Sequence, residues 1–129
     1  MKKIFSVLLT TLLLLAVVIW SQIYSESTLK ETSNKIDYIV GQVANLDDIN
    51  DAKTIELIDN LDEYWTKKEH ILCLSINHND LNKIGEQIKR VKIFMTSNDK
   101  ENCQCELSVL AFYAQSYIHV IDTQFENLF

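Results

Sequence analysis

The chain opens with a long neutral run. After Met1-Lys2-Lys3, residues 4–24 read IFSVLLTTLLLLAVVIWSQIY, without one formal charge. As a helix these residues span about 31 Å, the thickness of a bilayer's hydrocarbon core. Trp20 and Tyr24 stand at the far end, where interfacial aromatics belong. Beyond them the pattern turns amphipathic. Leu29, Ile36, Val40, Val43 and Leu46 recur at helical spacing, and Asp47-Asp48-Ile49-Asn50-Asp51 interrupts them. Asp51 is placed to cap a second helix running to about Ile76, with Ile55, Ile58, Leu61, Trp65 and Leu72 on one side. After Asn77-His78-Asn79-Asp80 a third stripe follows: Leu81, Ile84, Ile88, Val91 and Met95. Ser97-Asn98-Asp99-Lys100 is the last break. Leu107, Ala111, Ala114, Ile118, Ile121, Phe125 and Leu128 then alternate four and three, which is heptad spacing.

Short breaks between amphipathic helices make neighbours antiparallel. The expected fold is all-α: an N-terminal transmembrane helix followed by an antiparallel three- or four-helix bundle. Residues 1–24 form the anchor and residues 25–129 the extracytoplasmic bundle. This topology gathers the His78 loop and Asn127-Leu128-Phe129 at the membrane end, where Leu128 and Phe129 reach the interface. The Asp47 and Ser97 turns form the tip.

Composition supports helices. Two glycines and no proline in 129 residues fall far below their usual shares of about 7% and 5%. Sheets need both for tight turns. Charge is divided. Lys2 and Lys3 favour a cytoplasmic N-terminus, which puts the bundle outside the cell membrane. Beyond residue 24, ten bases face eighteen acids, leaving −8. That balance argues against nucleic-acid binding. The rival reading of the first segment is a cleaved signal peptide. Its apolar core is long for one, and Ser25-Glu26-Ser27 is a passable cleavage site at best.

Candidate chemistry is sparse. Cys73 and the pair Cys103/Cys105 fall at opposite ends of the expected bundle, too far apart for a disulfide. Cys103-Gln104-Cys105 lacks further metal ligands nearby. His70, His78 and His119 gather with Cys73 towards the membrane end, without a recognised ligand spacing. Asp47, Asp48, Asn50 and Asp51 fail the calcium-loop pattern, which needs Gly at its sixth position and Glu at its twelfth; Ala52 and Ile58 stand there. Lys83, Lys89, Arg90 and Lys92 face the acidic stretch 47–63 and read as a self-neutralising surface. No nucleophile has a positioned base. No enzymatic activity and no cofactor or metal are expected.

The stretches Trp65-Thr66-Lys67-Lys68, Ser75-Ile76-Asn77-His78-Asn79-Asp80-Leu81 and Asn127-Leu128-Phe129, behind a basic start and one apolar span, resemble the bacterial domain-of-unknown-function family 4363. The resemblance implies a short, single-span helical protein of Gram-positive bacteria with no assigned activity, and a multi-span membrane protein as partner. Its motif residues here are Trp65, His78, Asp80, Asn127 and Phe129; Asp80 is placed to cap the third helix, His78 to hydrogen-bond across the turn and Trp65 to pack along the second helix. Cys73, Cys103 and Cys105 stand outside the family pattern. All of this leads to a non-enzymatic, membrane-anchored interaction protein that binds a membrane partner or itself. The alternatives are an extracytoplasmic ligand-binding or sensing module working through a partner, and a secreted bundle.

Overall fold

The computed structural model describes residues 1–128; the side chains of Phe125 and Leu128 lie outside that description. Four helices follow one another: α1 (Lys2–Asn45), α2 (Ala52–Leu72), α3 (His78–Thr96) and α4 (Lys100–Leu128). Each packs on its neighbours in sequence, and α4 closes the ring against α1. The result is an up-down-up-down bundle with short connections.

α1 is one unbroken helix of 44 residues. Its first part stands clear of the bundle: Ile4, Phe5, Leu8, Leu13 and Val17 are all exposed. Burial begins at Ser21 and continues through Ser25, Thr28, Leu29, Thr32, Ile36, Ile39 and Val43. Val40, expected on this stripe, is exposed and Ile39 replaces it. One helical step separates the two, and the face turned towards α2 and α4 passes through Ile39. The lower core face of α1 is made mostly of small hydroxyl residues, with Leu29 among them.

The other stripes fall largely where the spacing places them. Ile58, Leu61, Trp65 and Leu72 of α2 are buried, as are Leu81, Ile84, Ile88, Val91 and Met95 of α3. α4 contributes Cys103, Leu107, Leu110, Ala114 and Ile121, while Ala111 and Ile118 are half-buried. A fully buried aliphatic side chain contributes about 1.5–3 kcal/mol.

The tip is held by turn residues. The Asp51 carboxylate accepts from Thr54 N at 3.3 Å and caps α2. Asn98 takes a positive φ of 55°, and its side-chain oxygen accepts from Ile49 N at 2.9 Å. Ile49 closes the core from above. Lys100 Nζ donates to the carbonyl oxygens of Ala44 at 3.2 Å and Leu46 at 2.7 Å, placing a cation at the negative end of α1.

At the opposite end, the base, two expectations need correction. α2 stops at Leu72 rather than near Ile76, because the chain turns at once: Leu74 N and Ser75 N donate back to the carbonyls of Ile71 and Leu72. Asn77, not Asp80, caps α3; its side-chain oxygen accepts from Asn79 N at 2.8 Å. Asp80 falls in the first turn, where its charge meets the positive end of the helix dipole.

Candidate interaction site at the base of the bundle

The base is tied by a few polar contacts. Ser21 of α1 and Ser75 of the α2–α3 turn share a hydrogen bond of 2.9 Å. Gln115 Nε2 donates to Ser33 Oγ at 3.4 Å, and Asp122 stands beside Glu26. That register carries the last turn of α4, with Asn127, to the level of Trp20 and Ser21. The α2–α3 turn and the end of α4 thus flank the point where residues 2–20 leave the bundle.

His78 Nδ1 lies 3.5 Å from Cys73 Sγ across the turn, and both side chains are exposed. Asp80 pairs loosely with Lys83 at 3.8 Å. Burial, then the charge of Asp80, raises the Tyr117 hydroxyl pKa. Leu74 projects from the turn, 67% exposed.

An aromatic and cationic cluster continues round the α1–α2 side. Trp20 and Tyr24 stack with centroids 5.4 Å apart. Lys68 lies over the rings of Tyr24 and Tyr64, and Lys35 covers Tyr64 at 4.9 Å. The Tyr64 hydroxyl donates to Glu31 at 2.8 Å; burial foremost, and then this bond, push its pKa well above the ordinary value. Above it opens a cleft of about 330 Å³ with Ile39, Leu57 and Leu61 as floor and Glu31, Asn34, Lys35 and Asn60 as rim.

The five motif residues do not form one site. His78, Asp80 and Asn127 share the base. Trp65 lies higher, buried between α2 and α3 with its indole against Gly85, where a Cβ would meet Cδ1 and Nε1 at an ordinary contact distance of 3.6 Å. Among the described residues the Trp65 Nε1 proton has no partner. Phe129 lies outside the described residues. Lys92 meets Asp59 at 2.5 Å, the cross-helix pairing of basic α3 and acidic α2 expected from charge.

Cys103 is buried, with its thiol pKa raised to about 11 by burial foremost and by Asp99 second. Such a thiol stays protonated and inert. Cys73 and His78 supply two donors where a closed zinc site needs four. Among the described residues no three His, Cys, Asp or Glu side chains converge.

A model of the domain of unknown function DUF4363 matches residues 19–128. The chain belongs to the DUF4363 family. The match starts at Ile19, beside Trp20, so the DUF4363 domain coincides with the bundle and the exposed apolar run lies ahead of it. No curated protein matches the chain, and no solved structure does.

The sequence left the Ser21–Ser75 tie and the projecting Leu74 unseen. Its signal for the first was the run Ser21, Ser25, Thr28, Thr32 at spacings of four, three and four. That is an inward face written in hydroxyls, which a search for aliphatic stripes passes over.

Proposed function

We propose that this DUF4363 protein is a non-enzymatic, single-pass membrane protein whose helical domain stands outside the cytoplasm and binds a membrane partner through its base. The observation that carries this reading is α1 itself. One helix runs without a break from exposed Ile4, Phe5 and Leu8 into the buried Leu29 and Ile36. An apolar surface of that kind costs about 25 cal/mol per Å² in water and is satisfied in a bilayer. Cleavage near Ser25–Ser27 would remove Ser21 from its bond to Ser75 and Tyr24 from Lys68, which favours an uncleaved anchor over a secreted bundle. Leu74, His78 and Asn127 stand where a neighbour in the same membrane meets the domain.

The test is a crosslinking pull-down from native membranes, read by mass spectrometry. Wild type is expected to enrich one membrane protein, and a Leu74→Asp/His78→Ala double variant to lose it. Equal recovery with the variant opposes the reading. Mature protein beginning near residue 28 in the medium opposes the anchor.

A second reading, ligand binding or sensing, draws on the cleft beside Lys35 and Asn60. It expects a raised melting temperature with some small molecule, and a flat screen argues against it.

A further inference from the structure

α4 carries a second stripe, turned away from the core. Cys105, Val109, Phe112, Ser116, His119 and Thr123 alternate four and three along its outer side, with Val120 on the flank. Val109, Phe112 and Val120 are 37%, 66% and 48% exposed. From Leu107 to Ile121 the helix holds no Asp, Glu, Lys or Arg. The outer sides of the other helices carry charge at nearly every turn: Lys30, Glu31 and Asp37 on α1, Lys53, Glu56, Glu63 and Lys67 on α2, Lys83, Glu86, Lys89 and Arg90 on α3. The hydroxyls along the α4 stripe are already satisfied. Ser108, Ser116 and Thr123 each donate to the carbonyl four residues back. Covering this face therefore strands no Asp, Glu, Lys or Arg and no serine or threonine hydroxyl of the stripe; His119 is the histidine it covers.

We infer that this face is the contact with a second copy of the chain, forming a parallel α4–α4 dimer. The inference rests on the proposed membrane anchor. Two copies anchored in one bilayer with the same orientation are related by a two-fold axis along the membrane normal. Their α4 helices then run in the same direction, and each stripe residue meets its own counterpart at matched height. The four–three spacing keeps these positions on one side of the helix, with Val109 and Phe112 as the apolar pair at its centre. Charge selects the face. In that arrangement each charge on the α1, α2 or α3 side meets its own counterpart, like against like, while the α4 faces from Leu107 to Ile121 bring together no Asp, Glu, Lys or Arg. A charged partner would find nothing on this stripe to pair with. From Cys105 to Thr123 the stripe runs about 27 Å, a narrow contact that confinement in two dimensions favours through raised effective concentration.

The experiment uses the full chain in native membranes, with Cys73→Ser leaving Cys105 as the exposed thiol. A short bismaleimide should produce a covalent dimer, and Cys105→Ser should remove it. Phe112→Glu should lower the dimer yield about tenfold or more, because two like charges then meet across the axis. Ile93→Glu, on the exposed side of α3, should leave the yield unchanged, and circular dichroism should show both variants helical. Absence of a Cys105 dimer, or a yield that Phe112→Glu leaves intact, overturns the inference. Alkaline washing of the same membranes separates the two readings. Protein that washes out defeats the anchor; protein that stays without forming the dimer defeats the dimer alone.

Discussion

Trp65, a motif residue on the apolar side of α2, serves as a packing group. Its indole is 1% exposed and lies against Gly85, and its Nε1 proton finds no acceptor among the described residues. Burying that proton is unfavourable, so the side chain stays for its volume. Trp65→Ala should destabilise the domain by about 3–5 kcal/mol through the cavity it leaves. Trp65→Phe keeps much of the volume and removes the unpaired donor, so it should cost under about 1.5 kcal/mol. Urea unfolding of the two variants checks the contrast. A Trp65→Phe loss as large as that of Trp65→Ala would show that the N–H has a role the packing does not explain.

Among the elements, caps decide where helices start. The residues 77–80 contain Asn, His, Asn and Asp, and three of these four are good caps. Sequence spacing favours Asp80; the fold uses Asn77 because the tight turn at 73–76 brings its oxygen to Asn79 N. Asn77→Ala should therefore cost about 1 kcal/mol, and Asp80→Asn only about 0.3–1 kcal/mol for the lost charge near the helix start. Thermal unfolding of both, compared at one pH, tests the order. The α1–α4 edge adds an acid dependence. The hydrogen bond and charge of Lys30 hold Glu26 below its ordinary value of 4.5, against the opposing effect of burial. A lowered carboxylate contributes stability that is full above the unfolded value and disappears as pH falls through the folded one. Stability should thus drop below about pH 4.5, and Lys30→Met should flatten that part of the curve; an unchanged acid limb would assign the loss to other carboxylates. The existence and order of all four helices were legible because each aliphatic stripe repeats at helical spacing. The Asp51 cap of α2 was legible as well; the end of α2 and the cap of α3 were not, because several polar residues compete there and only the turn geometry chooses among them.

At the scale of the molecule, the sequence carried the ring of helices, the neutral first segment and the gathering of His78 and Asn127 at one end. It did not carry the division of the motif, because Trp65 and His78 are thirteen residues apart on either side of a turn that only the folded chain locates. Nor did it carry the lower core. Ser21, Ser25, Thr28 and Thr32 look like surface positions by composition and are buried by position. They let α1 lie close to its neighbours just above the neutral run. That leads back to the 44-residue helix itself. With neither proline nor an interior break, it has no swivel between the part proposed to cross the membrane and the part that builds the domain. Mechanically the two are one shaft, about 66 Å long. Any rotation or tilt imposed on the lower segment turns the whole domain by the same angle, and any torque applied to the domain is felt inside the bilayer. Three residues of slack inserted after Tyr24 would rotate one against the other by about 300° without altering a single contact on the outer surface of α4.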